Sequence, residues 1–287
     1  MTKARSPLGF ILILPALFIV IFSAALPLFA VVNYSVQDVF YGNSFFWVGP
    51  QWFIEVLTSE AFHASLMRSL AYSALVLLIE IPLGFIIALS IPRTGSKAIS
   101  YLVIMSIPLM IPWVVVGLTW AMLIHPQWGS IGAILSLVGI TINMNNPIIA
   151  WMVILIVDIW HWTSLIVLLC YSGLIAIPQQ YYQAAKVDGA SRWAILRHIE
   201  LPKLKKVLLI AILLRFIDSF MIYVEPLILT KGGPGTSTVF ISHDLMRNAA
   251  QQFDLGRSAA ISLIYFAIIL AITWVIYRAM NPKLSQS

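Results

Sequence analysis

Charge is scarce in this chain: only 10% of its 287 residues are Asp, Glu, Lys or Arg, whereas 61% are hydrophobic and the mean hydropathy is +0.95. Soluble domains carry about 25% charged residues, so an ordinary soluble fold is excluded. Cysteine is almost missing. The lone Cys170 rules out an intrachain disulfide framework and a cysteine-rich metal site, and its apolar surroundings say nothing about compartment redox. Histidines at 63, 125, 161, 198 and 243 are scattered with no His-Glu-x-x-His pattern, so no metal site is expected. The chain also lacks a Gly-x-x-x-x-Gly-Lys-Ser/Thr phosphate loop, a nucleophile elbow, a repeat of 20 to 50 residues and a low-complexity linker. The net charge of +6 would suit nucleic acid. However, the basic residues sit beside apolar segments and not on an aromatic platform, which argues against that partner.

What is present is a series of long apolar runs. Crossing about 30 Å of hydrocarbon takes roughly 20 apolar residues in a helix. Six stretches qualify, near residues 8–33, 66–92, 99–124, 148–174, 207–230 and 257–280. Lipid offers no partner to a free backbone N–H or C=O, and no barrel-type alternation appears, so these runs are expected to be helices. Residues 1–287 therefore read as one all-α, polytopic membrane domain with six transmembrane helices. The first run follows Lys3 and Arg5 like a signal peptide, but it continues past Pro27 without a small-residue cleavage site and reads as an uncleaved span.

Alternating spans place Lys3, Arg5, Arg93, Lys97, Lys186, Arg192, Arg197, Lys203, Lys205, Lys206, Arg278 and Lys283 on one side. Arg68, Lys231, Arg247 and Arg257 fall on the other, and Arg215 lies inside a span. By the positive-inside rule both termini and the loop at about 176–206 are cytoplasmic. Outside, residues 34–65 carry Phe45, Phe46, Trp47, Trp52 and Phe53, a set suited either to the membrane interface or to a partner surface. Residues 231–256 open on a Lys-Gly-Gly-Pro-Gly-Thr turn. Pro82, Pro108, Pro112 and Pro226 interrupt spans and remove backbone donors where a helix can kink.

The cytoplasmic loop is the most informative segment. Its sequence predicts a helix near 179–187, a break at Asp188-Gly189 where glycine permits a sharp turn, and a second helix near 191–199 followed by Pro202. Val187, Trp193, Leu196 and Ile199 supply apolar contacts. On physics alone this is either an amphipathic connector on the membrane surface or a knob for a partner. The run Gln183-Ala184-Ala185, Asp188-Gly189-Ala190 and Ile199-Glu200-Leu201-Pro202 resembles the EAA loop of permease subunits in binding-protein-dependent ABC importers. Phe46-Trp47-Val48-Gly49 with the stretch to Ser69 is similar to the external lead-in of the carbohydrate-uptake branch. Thr230-Lys231-Gly232-Gly233-Pro234-Gly235 is similar to its glycine-rich turn. The maltose-type and glycerol-phosphate-type permeases are the nearest general comparison. One departure stands out: Gln183 replaces the usual leading Glu, so a charged contact from that position does not carry over.

The resemblance implies a bacterial cytoplasmic (inner) membrane protein that pairs with a second permease subunit around a solute path. A cytoplasmic ATPase dimer would grip Gln183, Ala184, Ala185, Asp188, Gly189, Ala190, Ile199, Leu201 and Pro202, and an extracytoplasmic solute-binding protein would deliver the cargo. ATP and magnesium would be bound by the ATPase; this chain itself would bind no cofactor and catalyse nothing. The implied cargo is a sugar, a sugar derivative or a polyol such as glycerol.

Ionisable residues inside spans are costly and need partners, which singles out Glu80, Asp158, Arg215, Asp218 and Glu225. Asp158, His161 and Trp162 fall at i, i+3 and i+4, with Trp160 between them, so one helical face can offer a carboxylate, an imidazole and an indole to a hydroxyl-rich solute. The same face would serve equally as a polar clamp between helices. Arg215 and Asp218 can pair internally, and Tyr223 and Glu225, beside Pro226, are further candidates for the path. Two other functions stay open: an ion-coupled secondary transporter using Glu80, Asp158, His161 and Asp218, and a membrane enzyme built on a carboxylate and a histidine.

Overall fold

The computed structural model describes residues 7–40 and 44–280. Helix α1 (Pro7–Tyr34) leads into a two-stranded antiparallel hairpin, β1 (Gln37–Phe40) with β2 (Ser44–Trp47), which pairs Gln37 with Trp47 and Phe40 with Ser44. Helices α2 (Gln51–Thr58), α3 (Glu60–Ser90), α4 (Ser96–Met110), α5 (Trp113–Leu123), α6 (Ser130–Leu137) and α7 (Pro147–Ile175) follow. Next come α8 (Gln179–Val187), α9 (Arg192–Ile195), a π-turn (Leu196–Glu200), α10 (Leu201–Phe220) and α11 (Val224–Leu229). The chain closes with α12 (Ile241–Met246), a second π-turn (Arg247–Gln251) and α13 (Leu255–Met280). Apart from the hairpin, the regular elements among the described residues are helices joined by turns and loops.

Five helical runs are long and apolar enough to span a bilayer, or six if the bent pair α4–α5 counts as one. The expected third span, 99–124, is not a continuous helix: it turns by 93° between Met110 and Trp113. Pro112 causes the break, because its ring removes an N–H and restricts Ile111 to the extended backbone it adopts (ψ 127°). The expected fifth span is also interrupted, at Met221–Tyr223 between α10 and α11. The second loop helix does not stop at Pro202. It runs through the π-turn into α10, since that wider turn takes up the register just before a residue with no N–H to donate.

Two compact units divide the chain. The first, residues 1–63 and 244–268, contains the hairpin and α2, where the Trp52 indole donates to the Gln37 carbonyl at 3.0 Å and Arg257 pairs with Glu55 at 3.5 Å. Phe45, Phe46 and Trp47 of β2 are exposed there, and from Ile13 to Phe29 α1 is exposed all round.

The second unit, residues 64–243 and 269–287, holds the core. Ala88, Ile166, Val167, Cys170, Leu174, Leu204 and Ala211 bring α3, α7 and α10 together. Glycine allows the close approach: a Cβ on Gly84 would lie 2.6 Å from Ile166. In hydrocarbon there is little hydrophobic drive between helices, so this packing is what holds them. Asn146 caps α7 by accepting from the Ile148 N–H at 2.9 Å, with Pro147 at the first helical position. Trp151 donates to the Ser237 carbonyl at 2.8 Å and Arg68 to the Val239 carbonyl at 2.7 Å. These bonds tie the segment after the glycine-rich turn to α7 and α3.

Candidate functional site

A charged knot lies at the centre of the second unit. Arg215 on α10 is completely buried and spreads its guanidinium over three carboxylates from three helices. Nε donates to Glu80 of α3 at 2.7 Å, one terminal nitrogen to Asp158 of α7 at 2.8 Å, and the other to Asp218 one turn further along α10. Sequence spacing anticipated only the pairing within α10. The planar fork of arginine suits this role, since it offers donors in several fixed directions. The cluster is a polar clamp between α3, α7 and α10, so the carboxylate of Asp158 is already engaged by Arg215.

Asp158 and Asp218 also reach a cavity of about 470 Å³ beside the interrupted end of α10. Trp113 of α5 and Trp162 of α7 line it, their rings 6.1 Å apart and tilted by 53°. Leu214 and Ile217 add apolar wall, and Met221–Glu225 complete it. A non-helical stretch at membrane depth is tolerated where it lines a cavity, and here the Ser242 hydroxyl donates to the Ile222 carbonyl. The size falls in the range of roughly 300–1,000 Å³ usual for small-molecule sites.

Of the candidate path residues, Asp158, Trp162, Tyr223 and Glu225 therefore share one cavity. Trp160 faces elsewhere, edge-on to Trp120 and lining a smaller hollow of about 210 Å³ with Met105 and Pro108. His161 is buried, outside the lining, stacked obliquely on Trp162 with neither ring nitrogen in a well-formed hydrogen bond. Trp113, Leu214 and Ile217 escaped sequence reasoning, because an apolar residue in an apolar run carries no signal of which way it faces.

The 176–206 segment is folded by local chemistry. Gly189 has φ +65°, its N–H reaches the Lys186 carbonyl at 3.2 Å, and the Ala190 N–H reaches the Ala185 carbonyl at 2.9 Å. This paired arrangement closes α8 in a Schellman motif, which needs a left-handed residue where glycine stands. Ser191 then caps α9 by accepting from the Ala194 N–H at 3.2 Å. Gln183, Ala184, Asp188 and Gly189 are exposed, Ala190 is half-buried, and Ala185 is buried. Ile199 packs on the core, Leu201 is half-buried and Pro202 is exposed. Val187 and Trp193 show 87% and 65% of their surface, which leaves an apolar face uncovered.

Glu200, the variable position of the motif, was not singled out from sequence. It is fully buried and accepts from Arg93 at 2.7 Å and Arg192 at 2.6 Å, with the Tyr182 hydroxyl donating at 3.4 Å. Arg93 also lies 3.9 Å from the Tyr182 ring centre. Burial pushes the Tyr182 phenol above its usual range, so the hydroxyl keeps its proton and remains a donor. Glu200 thus pins the loop to the end of α3.

A multi-helix membrane body with a mostly apolar, carboxylate-bearing cavity at a broken helix, and a folded loop with an exposed apolar face, fits the membrane component of a transporter. The chain belongs to the family described as binding-protein-dependent transport system inner membrane component, which it matches over residues 80–286. It is 34% identical over 275 residues to the trehalose/maltose transport system permease protein of Thermococcus litoralis, covering 94% of this chain and 92% of that one. It is 30% identical to the sulfoquinovosyl glycerol transport system permease protein of Agrobacterium fabrum, over 74% and 70% of the two chains. In fold it matches a crystal structure of a bacterial ABC transporter involved in import of the acidic polysaccharide alginate, with a TM-score of 0.81 at 21% identity, covering 97% of this chain and 96% of that chain. The protein is thus a transmembrane permease subunit of a binding-protein-dependent importer. ATP hydrolysis belongs to a separate subunit.

Proposed function

We propose that residues 1–287 act as one permease domain with six membrane crossings, the bent α4–α5 pair forming the third. Both termini and the 176–206 loop face the cytoplasm of a bacterial inner membrane. Lys3, Arg5 and Lys283, which contribute to that orientation, lie outside the described residues. A second permease subunit, identical or different, completes the path, and a solute-binding protein delivers cargo from outside. The loop is the coupling element: Gln183, Ala184, Asp188, Gly189 and Ala190 at the α8 end, with Ala185 buried beneath them and Ile199, Leu201 and Pro202 behind, seat on an ATPase dimer that holds ATP and magnesium. The observation that carries this reading is the Schellman-closed α8 with uncovered Val187 and Trp193 beside it. An exposed apolar patch on a folded loop fits a partner groove.

The cavity of Asp158, Trp162, Tyr223 and Glu225 is the solute path, with indole faces to cover the carbon skeleton of a sugar and carboxylates to accept its hydroxyls. Trp160 and His161 support it from outside the lining. The relatives' names span trehalose and maltose on one side and a sulfonated sugar glycoside on the other. Proteoliposomes holding this chain with its partner permease and ATPase test the reading. Uptake of trehalose or maltose should require internal ATP, the ATPase and the binding protein, and uptake by this chain alone would sink the proposal.

A further inference from the structure

The cavity's wall contains three carboxylates, Asp158, Asp218 and Glu225, and no basic side chain. The one cation behind it, Arg215, is 0% exposed, and each of its donor nitrogens is committed to a carboxylate. Glu225 is 6% exposed, lines the cavity, and forms no side-chain hydrogen bond or ion pair with another side chain among the described residues. An anionic group entering here would meet three carboxyl groups and no free cation, since the donors in the wall, the Tyr223 hydroxyl and the Trp113 and Trp162 indoles, are uncharged. A hydroxyl has the opposite fortune, because it donates to those carboxylates while Trp113 and Trp162 cover the carbon skeleton.

We propose that this cavity is a charge filter which admits uncharged polyhydroxy solutes and rejects sugars bearing phosphate, sulfonate or carboxylate, with Glu225 and Asp218 as the residues that set the selection. This rests on the solute-path reading above and narrows it to one side of the division among the relatives. Selection at the membrane step is separate from whatever the binding protein selects, so a wrong cargo that slips past the first is stopped by the second.

The test uses the assembled importer, this chain with its partner permease and ATPase in nanodiscs, without binding protein. Binding of maltose and trehalose is compared by calorimetry with that of maltose 1-phosphate and trehalose 6-phosphate, pairs that differ only in the charged group. A neutral sugar should bind at least tenfold more tightly than its phosphate ester. Glu225→Gln should raise the ratio of phosphate-ester to neutral affinity by roughly three- to a hundredfold, the span given by removing one charge about 6 Å away between watery and protein-like dielectrics. Asp218→Asn, which leaves Arg215 with two carboxylates, should move the ratio the same way and serves if the first variant fails to assemble. Equal binding of both classes, tighter binding of the esters, no saturable binding of any neutral sugar, or an unchanged ratio in both variants overturns the filter. ATP-driven uptake that persists beside any of these results removes the filter alone, whereas loss of ATP dependence removes the importer reading beneath it.

Discussion

Arg215 concentrates the energetic risk of this membrane protein in one side chain. Taking away one partner of a buried ion pair leaves bare charge and costs about 3–5 kcal/mol. Arg215→Met should lower the thermal unfolding midpoint of the detergent-purified permease sharply, and Arg215→Lys should recover only part of the loss because an ammonium cannot fork to three carboxylates. Gly189 carries a smaller burden, with open space around it but a left-handed backbone. Gly189→Val should cost about 1–2 kcal/mol of local strain and weaken capture of the ATPase in a pull-down, while leaving the membrane helices folded. At this scale the sequence was half legible. Charges inside apolar runs announce that they need partners, so Asp158, Arg215 and Asp218 stood out, but nothing local could join Arg215 to Glu80, 135 residues away. Glu200 was hidden for the opposite reason: it occupies the unspecified position between Ile199 and Leu201 of the motif.

At the scale of elements, helices in lipid are held by fit more than by hydrophobicity, and the α3–α7 contact shows it. Gly84→Leu would drive a side chain into Ile166, where even a Cβ comes within 2.6 Å. Overpacking of this kind costs about 1–3 kcal/mol. The expected readout is a lower melting temperature and poorer yield, with partial rescue by the compensating Ile166→Ala. The long apolar runs were easy to read because bilayer thickness dictates their length. Pro112 signalled a break but not a 93° turn, since a proline fixes what the backbone loses and the neighbours decide where it goes. Pro202 misled in the other direction. A proline ends most helices, yet the π-turn at Leu196–Glu200 carries this one through.

For the whole molecule, composition alone settled the bilayer, and the loop motif pointed to the family before any contact was known. What composition could not give was which sides of the helices meet, and therefore where a cavity opens. Glu200→Gln offers a test that joins scales. It should leave insertion and sugar binding intact while cutting ATP-driven uptake severalfold, because the loop loses its anchor to α3; unchanged uptake would show that the anchor is dispensable. The uninterrupted passage from α9 through the π-turn into α10 has a mechanical meaning. From Arg192 to Phe220 the backbone is one rod, about 43 Å long at helical rise. Trp193 sits at one end and Asp218 at the other, so a shove on the loop end is delivered, with little slack, to the threshold of the cavity.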